Sequence, residues 1–356
     1  MQREAYVRSL LAGEQNGPAD RLLLGLLRLP ALAYGGVLRL RAEAYRYGLL
    51  KSHRLPRPVI SVGNLTLGGT GKTPMTVWLA RYLMGHGLRV AVLSRGYGGS
   101  REGEVALVAD GTSLLLGPDE AGDEPCLLAR QVPGLAVVIG ADRYRAGLKA
   151  LETVNPDIFI LDDGFQHLRL QRDLNLLLMD CRAPLGTGRT LPAGLLREPE
   201  TAIGRADLIV FTRCNGGEPG LPAAAAAIPR CRSRHALTGF TDLTGGTRHS
   251  FTELAGLRGI ALAGIASPGA FFADLERAGL TLGATAPFPD HHAFTAADLR
   301  WIVDLYRASG ADYLIMTAKD AVKLAGCELP PRTLVAELEL VLDDDRLLRQ
   351  AVEKLL

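Results

Sequence analysis

The sequence contains little that would indicate a disulfide-stabilised or zinc-stabilised protein. Its 356 residues include five cysteines, which lie far apart without a Cys-x-x-Cys pair, and seven histidines without a His-Glu-x-x-His motif. This pattern is typical of a reduced intracellular protein without structural zinc. Basic and acidic residues number 40 and 38, and the resulting net charge of +2 argues against a general role in binding nucleic acid.

Residues 1–17 also lack the charged and then apolar layout of a signal peptide. Residues 21–50 form a leucine-rich run with spaced arginines, and Arg28 and Pro30 interrupt its apolar part. We therefore expect this run to be too short and too charged to span a bilayer. Two interpretations remain, namely a helix lying in the membrane interface and a helical hairpin packed on the main domain.

The most informative stretch covers residues 58–74, where an apolar segment leads through a glycine-rich turn to Gly71-Lys72-Thr73. Glycine-rich backbone and a following helix N-terminus bind phosphate, the lysine would reach the outer phosphates, and the threonine hydroxyl would contact Mg²⁺. The strict pattern G-x-x-x-x-G-K-[ST] is not met, because residue 66 is threonine. The strand-turn-helix context nevertheless predicts a nucleotide-binding loop. Its predicted contacts are Asn64, Thr66, Leu67, Gly68, Gly69, Thr70, Gly71, Lys72 and Thr73.

Five further apolar runs follow at helix-length intervals, at residues 90–93, 135–139, 158–161, 174–179 and 208–211. Unbroken runs of this kind indicate strands covered on both faces, and hence a mainly parallel α/β sheet of the P-loop NTPase type with helices on both faces. A change in composition near residues 216–227 predicts a boundary, after which a smaller α/β pattern follows. We expect three parts: a membrane-associating helical segment at 1–50, a P-loop kinase core at 51–228 and a smaller C-terminal α/β domain at 229–356.

Acidic residues stand directly after one of these runs, at Asp162 and Asp163. Ligands gather at the carboxyl ends of parallel strands, and a carboxylate there can hold Mg²⁺ against the phosphates. The simpler interpretation is a solvated turn with two acids.

Three other positions are candidates with equally simple structural explanations. Asp123 could act in catalysis or only begin a helix. Arg197 could stabilise a transferring phosphoryl group or pair with Glu198. The His291-His292 pair could supply an acid or base, or lie in a surface loop.

A phosphate loop alone indicates only nucleotide binding, so a GTPase or metallochaperone-like switch is the second hypothesis. Residues 317–320 are superficially like the guanine-reading N/T-K-x-D, but an alanine precedes the lysine and no residue separates the lysine from the aspartate. The D-x-x-G switch element is also missing. These differences favour ATP and phosphoryl transfer.

Taken together, the motifs resemble the tetraacyldisaccharide 4'-kinases of lipid A synthesis. The blocks follow the family order from residue 58 to residue 324, and the family tolerates threonine at position 66. They are residues 62–66 (VGNLT), 68–74 (GGTGKTP), 94–98 (SRGYG), 122–125 (GDEP), 162–167 (DDGFQH), 191–199 (LPAGLLREP), 288–291 (FPDH) and 317–324 (TAKDAVKL).

The resemblance implies transfer of the γ-phosphoryl group of Mg²⁺-ATP to the 4'-hydroxyl of a tetraacyldisaccharide 1-phosphate, giving lipid IVA. In the family the acid of the GDEP block pairs with the histidine of the PDH block, which makes Asp123 and His291 the expected catalytic pair. A carboxylate that orients an imidazole suits the activation of a hydroxyl. Lys72 and Arg197 become the expected phosphate contacts in catalysis.

The resemblance also makes Asp162 and Asp163 the expected Mg²⁺ ligands, together with Thr73. Its acylated lipid substrate gives the N-terminal helix a reason to lie at a membrane surface. We therefore expect a monotopic enzyme on the cytoplasmic face of the inner membrane, without nucleic acid and without an obligatory protein partner. ATP would bind the first domain, and hinge closure would bring His291 from the second.

Overall fold

The computed structural model describes residues 2–15, 17–214, 220, 222–244 and 246–356. Within these residues the strands are β1 Val59–Asn64, β2 Val90–Ser94, β3 Ala106–Asp110, β4 Ala136–Ile139, β5 Ile158–Asp162, β6 Leu174–Asp180, β7 Leu208–Thr212, β8 Arg230–Asp242, β9 Arg248–His249, β10 Arg258–Ala263, β11 Thr281–Pro287, β12 Tyr313–Thr317 and β13 Thr333–Leu342. The helices are α1 Gln2–Ala12, α2 Pro18–Arg46, α3 Lys72–Gly85, α4 Pro118–Ala121, α5 Asp123–Gln131, α6 Arg143–Thr153, α7 Phe251–Leu254, α8 Pro268–Arg277, α9 Ala296–Ala308, α10 Ala318–Leu324 and α11 Arg346–Glu353. Short 3-10 turns cover Glu200–Arg205 and Ala223–Ala225.

One sheet runs through the described part of the chain, in the order β11-β10-β12-β13-β8-β7-β6-β1-β5-β2-β4-β3, with β9 paired to β8. All residues of β1, β2, β4, β5 and β7 are buried, as continuous apolar runs with helices on both faces require. The predicted mainly parallel α/β fold is confirmed. The edge strands β3 and β11 were not predicted, because their sequences are short and only partly apolar.

Strand β8 connects the two halves of the sheet. Residues 230–232 pair with β7 in parallel, and residues 233–242 pair with β13 in antiparallel orientation. We call residues 51–228 the first lobe and residues 229–356 the second lobe. The predicted boundary between them falls directly before this shared strand. Of the predicted linker, residues 215–219 and 221 lie outside the described residues.

The N-terminal segment differs from the predicted interrupted run or hairpin. Helix α2 is a single helix of 29 residues that continues through Pro30. Within the described chain it is the one helix long and apolar enough to cross a membrane by length and composition. The expectation that the run is too short was therefore wrong, because Arg28 and Pro30 do not end the helix.

Helix α2 lies on the surface of the first lobe with its leucines turned outward. Ala31 and Gly35 are buried against the lobe, whereas Leu29 is 76% exposed. The other leucines exposed by 66% or more are Leu22, Leu26, Leu32 and Leu40. Exposed apolar faces of this size are typical of protein-interaction or membrane-interaction surfaces.

Three hydrogen bonds join α2 to the loops of the first lobe. Thr190 donates to the carbonyl of Ala31 at 2.9 Å, and the Tyr34 hydroxyl donates to the carbonyl of Arg197 at 3.4 Å. Arg41 donates to the carbonyl of Gln166 at 3.3 Å. The helix is therefore attached to the loop that carries Arg197.

A buried ion pair stabilises the same region. Glu198 is 3% exposed and accepts two hydrogen bonds from Arg205, at 2.7 and 2.9 Å. We expect Glu198→Ala to lower the free energy of unfolding by about 3–5 kcal/mol, because the substitution leaves the Arg205 guanidinium without its counter-charge. Urea unfolding measures the difference. Asp344→Ala, which removes an exposed pair with Arg346, is the control and should leave the midpoint unchanged. An unchanged midpoint for Glu198→Ala would contradict this account of the pair.

Candidate active site

The predicted phosphate loop lies between β1 and α3 and is braced from inside by Asn64. This fully buried side chain donates to the carbonyl of Thr66 at 2.9 Å and to the hydroxyl of Thr70 at 2.8 Å. Thr212, at the end of the neighbouring strand β7, donates to the carbonyl of Thr70 at 2.9 Å. These bonds hold the loop in one shape before any ligand arrives. Asn64 therefore braces the loop through the Thr66 carbonyl and the Thr70 hydroxyl, and its contact with the nucleotide stays a prediction.

Glycine is required at two points of this loop. Gly71 begins α3 with a φ of +83°, and a Cβ there would lie 2.7 Å from the Nε2 atom of His235. Gly68 has a φ of +120°. Both backbone conformations are ones that other residues rarely adopt. The loop between β1 and α3 thus has the glycine conformations that the predicted phosphate-binding loop needs.

Asp163 lies beside the loop and is paired with two cations. Arg197 donates to its carboxylate at 2.7 and 2.9 Å, and the Lys72 ammonium lies 3.6 Å away. Burial alone would raise the pKa of Asp163, but the charges of Lys72 and Arg197 outweigh that effect and lower it. The alternative in which Arg197 pairs with Glu198 is wrong, because Glu198 pairs with Arg205. Lys72, Asp163 and Arg197 form one cluster at the mouth of the loop.

Asp162 has a different environment, although it is the adjacent residue. Its buried carboxylate accepts hydrogen bonds from Thr76 at 3.3 Å and from Ser94 at 3.4 Å. Burial, with the charges of Glu124 and Asp163, raises the pKa of Asp162 to about 7. Within the described chain, no hydrogen bond joins Thr73 to either aspartate.

The other predicted pair comes together from the two lobes. Asp123 is the first residue of α5, and His291 lies in the loop between β11 and α9. The Nδ1 atom of His291 lies 3.3 Å from a carboxylate oxygen of Asp123. Burial would raise the pKa of Asp123, but the hydrogen bond from His291 and the charges of Lys323 and Lys319 outweigh it, so the pKa is lowered. Asp123 therefore remains an anion that can orient the imidazole.

The loop that carries His291 is held in a strained conformation by its neighbours. His291 has a φ of +58°, an uncommon value outside glycine. The next residue, His292, lies 3.1 Å from Asp298, which also caps α9 through Thr295. Thr295 and Asp298 form a capping box at the start of α9. His292 thus supports the loop, while His291 faces the first lobe.

Sequence reasoning gave no role to several residues that the structure brings to the site. Arg143, 5% exposed, lies close enough to Asp162 and Asp163 to feel their charges, and burial lowers its pKa to about 10. Lys319 and Lys323 contact the Asp123–His291 pair. The signal for these lysines was present in the 317–324 block, where a spacing of four residues places both on one face of a helix.

Comparisons with known proteins agree with this geometry. The family model described as Tetraacyldisaccharide-1-P 4'-kinase matches residues 23–356. The chain is 58% identical over 320 residues to a tetraacyldisaccharide 4'-kinase of Geobacter sulfurreducens, covering 90% of each protein. It is 50% identical over 353 residues to that of Pelobacter propionicus, covering 99% of this chain and 98% of the relative. A crystal structure of LpxK from Aquifex aeolicus in complex with ATP is 34% identical, covers 94% of this chain and 99% of its own, and superposes with a TM-score of 0.80.

Proposed function

Because the chain belongs to the tetraacyldisaccharide-1-P 4'-kinase family, we propose that it transfers the γ-phosphoryl group of ATP to the 4'-hydroxyl of a tetraacyldisaccharide 1-phosphate, which yields lipid IVA in lipid A biosynthesis. The observation that carries the proposal is the Asp123–His291 pair, in which a carboxylate of the first lobe orients an imidazole of the second lobe. The first lobe also carries the braced phosphate loop. The alternative of a GTPase or metallochaperone-like switch receives no support from the relatives.

The phosphate loop would bind ATP through its backbone N–H groups and the N-terminus of α3. Lys72 and Arg197 now share Asp163 as their counter-ion. Phosphate oxygens offer both cations a stronger partner, because a triphosphate carries several negative charges and Arg binds it bidentately. Lys72 and Arg197 would then hold the terminal phosphate in line with the acceptor.

The residues at the strand ends are compatible with Mg²⁺. The Asp162 carboxylate is buried and accepts hydrogen bonds from the Thr76 and Ser94 hydroxyls, and burial with the charges of Glu124 and Asp163 raises its pKa to about 7. With the Thr73 hydroxyl it provides the hard oxygen ligands that Mg²⁺ prefers. Among the described residues no group of three acidic, histidine or cysteine side chains could hold a metal alone. Asp162 and Thr73 would hold Mg²⁺ jointly with the phosphates, whereas Asp163, which was also predicted as a ligand, pairs with Lys72 and Arg197. When bound, the ion would neutralise charge on the β- and γ-phosphates.

The acceptor hydroxyl would be activated by His291. The proton of the acceptor hydroxyl would pass to the Nε2 atom of His291 while the hydroxyl oxygen bonds to the γ-phosphorus. The bond between that phosphorus and ADP would break, and its electron pair would leave on ADP. Asp123 stabilises the imidazolium that forms. Contact between the lobes at this pair would exclude water, which a kinase needs in order to avoid hydrolysing ATP.

The test is direct. Purified protein with Mg²⁺ and γ-labelled ATP should transfer the label to a tetraacyldisaccharide 1-phosphate, and no transfer should occur to the same lipid already phosphorylated at the 4'-position. ATP binding without labelling of the lipid would refute the proposal. Partner binding stimulated by GTP would favour the switch instead.

We further propose that α2 lies on the cytoplasmic face of the inner membrane as a monotopic anchor. Its exposed leucines form one face, opposite the buried Ala31 and Gly35. Four arginines are spaced by seven, eleven and seven residues, which places them along one flank of the helix: Arg21, Arg28, Arg39 and Arg46. Arginines beside an apolar face suit the anionic headgroup layer, and the acylated disaccharide substrate would reside in the same bilayer.

Vesicle flotation tests the anchor. We expect Leu29→Glu with Leu40→Glu to reduce partitioning onto anionic vesicles by about 10²-fold or more, since each buried leucine contributes about 1.5–3 kcal/mol. Leu347→Glu, which changes an exposed leucine on α11, is the matched control and should float like the wild type. Unchanged flotation of the double variant, or of a protein lacking residues 1–50, would rule out this anchor.

A further inference from the structure

Two lysines at the catalytic pair have no role in the mechanism above. They belong to the 317–324 block, which forms the end of β12 and the helix α10. The Lys319 and Lys323 side chains are 15% and 10% exposed. Both ammonium groups point toward Asp123 and His291, on which the phosphoryl acceptor would be activated.

Lys323 is fixed in place by its surroundings. Its ammonium lies 3.4 Å from the fully buried Asp320, donates to the carbonyl of His292 at 3.1 Å, and lies 3.8 Å from Asp123. Asp320 is itself held in place, because its carboxylate accepts hydrogen bonds from the Gly264 N–H at 2.9 Å and from the Thr317 hydroxyl at 2.6 Å. Lys323 therefore holds a positive charge beside Asp123, which favours the ionised form of that carboxylate.

Lys319 has fewer contacts. Its ammonium lies 2.7 Å from Asp290 and 3.2 Å from the Nε2 atom of His291. An ammonium can only donate, so Nε2 accepts and the ring proton is on Nδ1, facing Asp123. This is the tautomer that a general base needs. However, the Nε2 atom, which would take the proton of the acceptor hydroxyl, already accepts a hydrogen bond from Lys319.

We propose that Lys319 is a further catalytic residue: its ammonium holds the Nε2 atom of His291 until the acceptor hydroxyl takes that place, and it then pairs with an oxygen of the transferring phosphoryl group. The inference rests on the proposed function. The hydroxyl must donate to Nε2 over about 2.6–3.2 Å to be activated, so Lys319 has to leave. An ammonium that stayed would also repel the imidazolium formed by proton transfer.

The new position of Lys319 follows from the reaction geometry. A hydroxyl oxygen on Nε2 lies about 3–3.5 Å from the phosphorus that it attacks. The oxygens of the phosphoryl group are therefore within reach of a lysine side chain that rotates away from Nε2. Lys319 transfers no proton in this step; its charge offsets the negative charge on the phosphoryl oxygens, while the hydroxyl proton still goes to Nε2.

Steady-state kinetics of Lys319→Met, Lys319→Arg and the exposed control Lys354→Met test this role. We expect Lys319→Met to lower kcat by about 10²-fold, the usual loss for one charge-stabilising donor. The KM values for ATP and for the acceptor should not rise. Lys319 would pair with the phosphoryl group only during its transfer, so its removal would not weaken binding of either substrate. Lys319→Arg should recover at least part of kcat, and Lys354→Met should match the wild type. A general structural defect would instead raise both KM values.

Side-chain nitrogen NMR of the free proteins gives a second measurement that does not depend on turnover. The His291 Nε2 resonance should move in Lys319→Met and stay in place in Lys354→Met. A kcat for Lys319→Met close to that of the wild type, or an unmoved resonance, would overturn the inference. If the wild type binds ATP without phosphorylating the lipid, the proposed function fails, and the NMR result still decides whether Lys319 occupies Nε2.

Discussion

Replacing His291 by alanine is expected to lower kcat by about 10²- to 10⁴-fold while ATP affinity stays unchanged, because a sugar hydroxyl is a weak nucleophile without a base. The imidazole contacts Asp123 and Lys319 and makes no contact with the phosphate loop that would bind ATP. Turnover with saturating ATP and acceptor, together with equilibrium binding of ATP, separates the two quantities.

Asp123→Ala should produce a loss in the same range, since the carboxylate acts through the imidazole. The double variant should be little worse than either single variant, because residues that act as a unit are not additive. His86→Ala changes an exposed histidine at the end of α3 and should turn over normally. Variants at Asp123 and His291 that bound ATP poorly but turned over at the normal rate would show that the pair serves the nucleotide and not the acceptor.

Replacing Lys72 by methionine is expected to lower kcat by about 10³-fold or more, because a cation at the terminal phosphate stabilises charge that develops in the transition state. The ammonium is 13% exposed and lies at the start of α3, where only Asp163 pairs with it among the described residues. The loop backbone remains intact in this variant, so ATP should still bind, although less tightly. Single-turnover measurements with excess enzyme report the chemical step directly.

The control for this variant is Lys149→Met, which removes an exposed lysine on α6. It should leave both ATP binding and the chemical step as they are in the wild type. A Lys72→Met protein that reacts normally once ATP is saturating would show that the lysine contributes only to ground-state binding.

Much of this site follows from local sequence. The phosphate loop was predicted from a buried strand, a glycine-rich turn and a helix in succession, and each has the expected position. The Asp123–His291 pair is different. Its members are 168 residues apart (291 minus 123), and a distance of 3.3 Å between them depends on how two lobes pack. Only the family resemblance connected them in advance.

Asp162 and Asp163 show where local sequence fails. The sequence alone does not distinguish these two adjacent aspartates, because both carry a carboxylate at the end of the same strand. In the structure Asp163 has a φ of +49°, which turns its side chain toward Lys72 and Arg197, while Asp162 continues the strand into a buried position. Backbone turns of this kind depend on tertiary contacts, and sequence patterns do not report them.

The shared strand β8 and the continuous helix α2 were missed for related reasons. Strand β8 contains three arginines (Arg230, Arg232 and Arg234) and ends at Asp242, and most of its residues are only partly buried, so no continuous apolar run predicts it. Pro30 normally ends or kinks a helix, but hydrogen bonds at Ala31, Tyr34 and Arg41 join the part of α2 that follows it to the first lobe.

The attachment of α2 to the loop of Arg197 has a kinetic consequence. If α2 is the membrane anchor and Arg197 the phosphate contact proposed above, the enzyme could not lift the acceptor far from the leaflet, and enzyme and lipid would meet by lateral diffusion. Turnover would then follow the mole fraction of acceptor within the surface, and dilution with inert lipid would slow it even at constant bulk concentration. The product would be released into the same leaflet, where the next enzyme of a lipid pathway could collect it without an aqueous carrier.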